Sequence, residues 1–136
     1  MSCPFLNCLH NGRCRHKIHI GDPHRDHRIS ILCSPHNPAG RVWERWELEK
    51  FFELCVKHNV TLFSDEIWCD LVLEGKHIPT NAVSEDARKI TIAAYAPTKT
   101  FSLAGLVGSY HVIFNEELRK KVEKAASMTH YNGRTC

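Results

Sequence analysis

The sequence lacks an apolar run long enough to cross a membrane, which requires about 20 consecutive residues in a helix. Its longest candidate, around Ile90–Ala96, is much shorter. The amino terminus also lacks a basic segment followed by an apolar one, which is the pattern of a secretory signal. These absences predict no membrane partner, and we expect a cytoplasmic protein.

The sequence also has no strong excess of charge of one sign. Its 136 residues include 18 basic and 15 acidic side chains, and the formal net charge of +3 is spread along the chain. Proteins that bind nucleic acids typically concentrate basic residues in a patch, so this composition predicts no nucleic-acid partner. With 43% hydrophobic residues, the chain is long enough for one globular domain and too short for two.

Metal ligands in a standard spacing are missing, although residues 1–28 contain three cysteines and five histidines. The ligand types within Cys8–His16 suit zinc, but a zinc knuckle needs two close ligand pairs separated by a core-forming segment. We therefore expect no metal site, and we interpret residues 1–28 as a divergent, irregular leader without periodicity. Three later cysteines lie in apolar periodic segments and are predicted to be core residues: Cys33, Cys55 and Cys69.

After residue 28, apolar segments with β-favouring residues alternate with an amphipathic one. Strands are predicted at Ile29–Cys33, Val60–Ser64 and Lys89–Tyr95, and the first is expected to be buried. Glu44–His58 carries apolar residues at helical spacing and acidic residues in its first turn, which predicts a helix. A strand, a crossover helix and a strand form a right-handed βαβ unit. The predicted fold class is α/β, with a mainly parallel sheet in a three-layer αβα arrangement.

Four shorter elements complete this prediction. A helical turn is predicted at residues 66–71, a short helix near Val83–Arg88, a strand within Gly105–Phe114 and an amphipathic helix at Glu116–Ser127. The positions of the last helix that are expected to face inward are Leu118, Val122 and Ala125.

The segment Ala94–Leu106 has Lys99 as its only charged residue, among small, hydroxyl and apolar neighbours. Partial desolvation of a lysine favours its neutral amine and makes it a usable nucleophile, although an ordinary surface lysine is the alternative. Asn37 and Asp65 also follow predicted strands. Because the carboxyl ends of parallel strands share one edge, we expect Asn37, Asp65 and Lys99 to meet where open α/β sheets bind ligands.

These motifs, in this order, resemble the large domain of fold type I pyridoxal phosphate enzymes of the class I and II aminotransferase superfamily. Pro-His-Asn-Pro-Ala-Gly-Arg-Val-Trp, Ser-Asp-Glu-Ile and Ala-Pro-Thr-Lys-Thr-Phe-Ser-Leu-Ala-Gly-Leu look most like the cystathionine β-lyase type of carbon–sulfur lyase. The resemblance covers about residues 28–127, the middle of such a domain. It implies that residues 29–136 are a partial large domain and that the sequence is a fragment of a family member.

The resemblance implies a role for each site residue toward pyridoxal 5'-phosphate. Lys99 bonds covalently to the cofactor and then moves protons as general base and acid. Asp65 pairs with the protonated pyridine nitrogen, which lets the ring withdraw electrons. Asn37 hydrogen-bonds the phenolic oxygen, and Thr98 offers its hydroxyl to the phosphate. Trp68 stands where aminotransferases usually carry a tyrosine and related lyases a histidine, but its indole can only donate.

Several of these residues also have an ordinary structural interpretation. Asp65 at a strand end is typical of a cap for the following turn. The Asn-Pro-Ala-Gly sequence that begins at Asn37 is a good turn by itself, and Thr98 is also explained as a loop threonine.

The implied function is that of a carbon–sulfur β-lyase acting on a sulfur amino acid, which loses a thiol from its β-carbon after removal of the α-proton. An aminotransferase is one alternative, because both reactions share the first proton abstraction. The other is a truncated, non-catalytic remnant that binds no cofactor. The family also implies a homodimer for a full-length protein.

Overall fold

A four-stranded mixed sheet forms the centre of the computed structural model, which describes residues 29–106 and 108–128. Its strands follow chain order: β1 (Ile29–Cys33), β2 (Thr61–Asp65), β3 (Thr91–Tyr95) and β4 (Tyr110–Val112). The β1–β2 and β2–β3 pairs are parallel, and β4 is antiparallel to β3. The predicted α/β class with a mainly parallel sheet is confirmed. The predicted leader, residues 1–28, lies outside the described residues.

The helices are α1 (Arg45–Lys57), α2 (Glu85–Ile90), α3 (Pro97–Thr100) and α4 (Glu116–Met128), with a 3-10 helix at Thr80–Ala82. None of the described helices is both long and apolar enough to span a membrane.

Local sequence explains where these helices begin. The backbone N–H of Glu44 donates to the Glu47 carboxylate at 2.9 Å, which caps the first turn of α1. The Ser84 hydroxyl accepts from the Ala87 N–H at 3.0 Å and caps α2. Pro97 occupies the first turn of α3, where a missing N–H costs nothing.

The core lies between α1, α2 and one face of the sheet. The apolar stripe of α1 packs with the 83–87 region and with residues of β1 and β2. The buried members are Leu32, Leu48, Phe51, Phe52, Cys55, Val60, Leu62, Val83 and Ala87. The prediction of a core position is therefore right for Cys55, whereas Cys33 and Cys69 are only half-buried.

The opposite face of β1 is open, which corrects the prediction of a buried strand. Ile29 and Ile31 are 66% and 65% exposed, while Leu32 on the core face is 3% exposed. Successive strand residues point to opposite faces, and no described element covers this side of β1. The continuous apolar run predicted that both faces of β1 are buried, but α1 and α2 cover only one face.

Several boundaries differ from their predictions, most by one or two residues. Lys89 and Ile90 belong to α2 rather than to β3, because the acidic first turn and basic last turn of α2 suit the helix dipole. In the run 105–114, the strand is confined to Tyr110–Val112.

The helix α4 is confirmed, but its predicted inward face is not. Leu118 and Val122 are half-buried and Ala125 is exposed. Near the start of α4, the Arg119 guanidinium donates to the Ile113 carbonyl at 3.4 Å.

Candidate active site

The carboxyl ends of β1, β2 and β3 carry the predicted site residues to one edge of the sheet. Cys33 pairs with Asp65, and Asp65 pairs with Ala94, so the three strands end in register. Asn37 lies in the loop after β1, Asp65 is the last residue of β2, and Lys99 lies in α3 just after β3. The prediction that these three residues share the carboxyl edge is confirmed.

The loop after β1 is a closed turn that leaves Asn37 exposed. The His36 N–H donates to the Arg41 carbonyl at 2.8 Å, and the Gly40 N–H donates to the His36 carbonyl at 2.7 Å. Gly40 has a positive φ of 67°, which glycine adopts at little cost. The loop is also tied to β1 by the Trp43 indole, which donates to the Cys33 carbonyl at 2.9 Å.

The Asp65 carboxylate caps the turn that follows β2. Its Oδ1 atom accepts a hydrogen bond from the Ile67 N–H at 3.2 Å, as the structural interpretation of an aspartate at a strand end expects. A carboxylate offers about four acceptor positions, so this cap leaves capacity for a charged partner. Asp65 is half-buried, on the face opposite to the core. The cap and a role toward a ligand are therefore compatible.

Two contacts join the turn after β2 to the lysine helix α3. The Lys99 Nζ atom lies over the Trp68 ring, 5.8 Å from its centre. The Thr100 hydroxyl donates to Asp70 Oδ2 at 2.9 Å. The predicted helical turn at residues 66–71 is present, with backbone bonds such as Cys69 N–H to the Glu66 carbonyl at 3.0 Å.

Lys99 itself is exposed, which corrects the expectation of partial desolvation. Its small and apolar neighbours do not surround it, because α3 lies at the surface and the next residues, including Phe101 and Leu106, are exposed as well. Thr98 is half-buried one position earlier. Residues far apart in sequence decide whether a loop is covered, so local composition overestimated the burial.

Cys33 is a member of this edge to which sequence reasoning assigned only a core position. Its thiol donates to the Pro35 carbonyl at 3.3 Å, and it lies beside Asp65 on the same face of the sheet. Burial raises the pKa of the Cys33 thiol, and the Asp65 charge adds to this rise. A neutral thiol therefore lies next to the Asp65 carboxylate. The position of Cys33 at the end of a predicted strand was the sequence feature that could have placed it at this edge.

Glu66 is the second residue that sequence reasoning missed. Glu66 lies within the Ser-Asp-Glu-Ile motif, but it was assigned no role from the sequence. Its side chain is fully buried, on the core side of the site. The sequence feature that could have pointed to Glu66 was a charged residue placed between an aspartate and an apolar residue. Within the described part of the chain, no group of three or more metal-binding side chains is found.

The comparisons with known proteins agree with this geometry. The family described as "Aminotransferase class I and II" matches residues 17–135, starting inside the predicted leader. Cystathionine beta-lyase PatB of Bacillus subtilis (strain 168) is 49% identical over 94 residues, which are 68% of this chain and 24% of the relative. Protein MalY of Escherichia coli (strain K12) is 40% identical over 94 residues, 68% of this chain and 23% of the relative.

Solved structures share the fold. Cystalysin from Treponema denticola, whose structure contains a pyridoxal 5'-phosphate cofactor, superposes with a TM-score of 0.72 at 38% identity. The match covers 75% of this chain and 26% of cystalysin. Aminotransferases are also among the relatives. The chain thus spans about a quarter of the length of the relatives it matches.

Proposed function

This chain belongs to the aminotransferase class I and II family, and on that premise we propose that it is the central segment of a pyridoxal phosphate-dependent carbon–sulfur β-lyase. The observation that carries the proposal is the shared edge of Asn37, Asp65 and Lys99 at the in-register ends of three parallel strands. The identity to a cystathionine beta-lyase favours a sulfur amino acid as substrate.

The side chains at this edge fit the cofactor chemically. Pyridoxal phosphate supplies an electron sink for a substrate carbanion when it is bound. The exposed Lys99 amine is available for a covalent bond to an aldehyde, and the half-buried Asp65 carboxylate suits a protonated ring nitrogen. Asn37 offers an amide donor, Thr98 a hydroxyl and Trp68 an aromatic face. An amine, a carboxylate, neutral donors and an aromatic surface are among the groups that can hold this cofactor.

Lys99 is proposed to carry the proton transfers. Its Nζ atom, once free of other bonds, accepts the α-proton of the amino-acid substrate and returns a proton later as general acid. The contacts of Trp68 with Lys99 and of Asp70 with Thr100 hold α3 against the turn after β2. They limit the range of positions that the amine samples, which favours transfer over a fixed distance.

An aminotransferase is the second candidate, because aminotransferases are also among the relatives and share the first proton abstraction. The two differ in the product. A lyase releases a thiol from L-cystathionine together with ammonia, whereas an aminotransferase requires an oxo acid as acceptor. A remnant that binds no cofactor remains the alternative outcome, since the chain spans about a quarter of its relatives.

The wider setting is part of the same proposal. An amino acid is the substrate, a homodimer is the assembled form of a full-length protein, and the cytoplasm is the location. The described cysteines Cys33, Cys55 and Cys69 are free thiols, which supports a reducing compartment. Light scattering of the protein measures the assembly directly.

The test is covalent trapping. Pyridoxal 5'-phosphate is added to the chain, the product is reduced with borohydride, and mass spectrometry locates the label. We expect the label on Lys99, its loss in Lys99→Ala and its retention in Lys124→Ala, which removes another exposed lysine, on α4. A label distributed evenly over the exposed lysines would contradict the proposal. Thiol release from L-cystathionine without an oxo acid then distinguishes lyase from aminotransferase.

A further inference from the structure

The Glu66 carboxylate is fully buried and accepts hydrogen bonds from three separate segments of the chain. The Ser64 hydroxyl donates at 3.1 Å from β2 itself. The Thr80 N–H donates at 3.1 Å and its hydroxyl also bonds to Oε1. His77 Nε2 lies 2.7 Å and the Tyr95 hydroxyl 2.8 Å from Oε2. The carboxylate therefore fastens β2, the 77–80 connection and the end of β3 together.

These bonds keep the carboxylate charged. Burial alone would raise the pKa of the Glu66 carboxyl, but the hydrogen bonds donated to it outweigh that effect and hold the pKa below its usual range. An ionised carboxylate only accepts, so His77 Nε2 carries a proton and donates. Burial and the Glu66 charge raise the pKa of Tyr95, which keeps its hydroxyl a donor.

The backbone at the same position ties β2 to both neighbouring strands. The Asp65 carbonyl accepts from the Ser34 N–H at 3.0 Å, where the Asn37 loop begins. The Glu66 N–H donates to the Ala94 carbonyl at 3.0 Å, one residue before Tyr95. The strand ends are thus fixed by main chain and side chain together.

Tyr95 is the link between this network and the lysine. It is the last residue of β3, and α3 starts two residues later at Pro97, with Lys99 in its first turn. The Tyr95 hydroxyl bonds to Glu66 on the core face of the sheet, while Asp65, at the end of β2, projects from the opposite face. The position of Tyr95 therefore determines where α3 begins.

We propose that Glu66 is a positioning residue for Lys99: its buried carboxylate holds the Tyr95 hydroxyl, fixes the end of β3 against the end of β2 and thereby sets the position of α3. The inference rests on the proposed function, because it takes Lys99 as the reactive amine. Glu66 acts through Tyr95 and contacts neither cofactor nor substrate.

The test compares Tyr95→Phe with Tyr110→Phe. Both substitutions remove one phenol oxygen, and the two rings stack with centres 5.4 Å apart. Tyr110 is 58% exposed and serves as the matched control. In Tyr95→Phe the Ser64, His77 and Thr80 donors to Glu66 are retained, so the fold is expected to persist.

The first readout needs no cofactor. Amide hydrogen exchange over residues 96–101 is expected to become about tenfold faster in Tyr95→Phe, since a hydrogen bond to a charged group is worth at least that factor in an equilibrium. It is expected to stay unchanged in Tyr110→Phe. A rise spread evenly over α1 and the whole sheet would indicate general destabilisation only and would overturn the proposal.

The second readout is the rate at which borohydride traps pyridoxal 5'-phosphate on Lys99. We expect it to be about tenfold lower in Tyr95→Phe. In a Glu66→Gln background, Tyr95→Phe is expected to have little further effect, because the two residues act as one unit. Rates and exchange equal to those of Tyr110→Phe would overturn the proposal. If the unsubstituted chain takes up no cofactor, the proposed function fails, and the exchange comparison alone decides the positioning role.

Discussion

The Nζ atom of Lys99 lies over the Trp68 ring at 5.8 Å from its centre, and so the residue that departs from the usual tyrosine or histidine is the one in contact with the lysine. The contact joins the turn after β2 to α3. An indole can make this contact, because a ring face attracts a cation without needing an acceptor atom.

Replacement of this ring tests its contribution. Trp68→Ala is expected to make amide hydrogen exchange over residues 96–101 about two- to fivefold faster, because an exposed contact of this kind contributes about 0.5–1 kcal/mol to holding α3. Trp46→Ala is the control, since Trp46 makes a similar contact with Lys50 at 5.3 Å on α1. Equal exchange over residues 96–101 in the two variants would show that the Trp68 ring does not hold α3.

Two substitutions of Asp65 separate its cap from its charge. Asp65→Asn retains an oxygen for the Ile67 N–H, so stability is expected to change little, whereas Asp65→Ala should lose about 1 kcal/mol. Both variants remove the carboxylate proposed to keep the ring nitrogen protonated. Turnover of a full-length protein that carries this segment is expected to fall about a hundredfold or more in both, because ion pairing shifts a pKa by several units.

The readouts are urea denaturation of the chain and turnover of the longer protein. Unchanged turnover in Asp65→Asn would leave the cap as the only role of this residue.

The pH dependence of stability is expected to report on Glu66. Its pKa in the folded chain is lowered, so its contribution to the free energy of unfolding is complete above the unfolded pKa of about 4.3. That contribution is lost as the pH falls through the folded pKa, because the protonated carboxyl no longer accepts from all its donors. Urea denaturation between neutral and acidic pH measures it.

Glu66→Gln is expected to be less stable at neutral pH and to flatten the acidic part of this profile. Glu53→Gln is the control, since Glu53 is an exposed glutamate on α1. An acidic profile that is the same in both variants would contradict the role of Glu66 in stability.

The two faces of β1 are expected to respond differently to truncation. Leu32→Ala should cost about 2–5 kcal/mol, because Leu32 is 3% exposed within the core. Ile31→Ala, one residue earlier and 65% exposed, should change the free energy of unfolding by about 0.5 kcal/mol or less. Chemical denaturation of both variants measures the difference. A large cost for Ile31→Ala would mean that this face is covered in solution.

Sequence reasoning found the strands, α1 and the common edge of Asn37, Asp65 and Lys99 because these depend on local periodicity and on the chain direction of parallel strands. It placed Lys89 and Ile90 in a strand because apolar character alone does not reveal where the Ser84 cap starts a helix. The pattern did not show that Ile29 and Ile31 are exposed, since cover on a sheet face comes from other segments.

The site residues differ in the same way. Asn37, Asp65 and Lys99 follow strands and could be located in advance, whereas the roles of Glu66 and Tyr95 depend on a hydrogen bond between residues 29 positions apart. No local pattern reports such a pairing. The exposure of Lys99 was also missed, since it depends on which distant segments lie over α3.

Asp65 ends β2 and Glu66 follows it, and their side chains point to opposite faces of the sheet, which makes the register of β2 a requirement of the proposed chemistry. A deletion of one residue within Thr61–Asp65 that kept the strand paired would exchange the faces of all residues before or after it. The Asp65 carboxylate would then point toward the core, or the Glu66 carboxylate would point away from its hydrogen-bond donors. This strand is thus expected to tolerate substitution of a residue far better than insertion or loss of one.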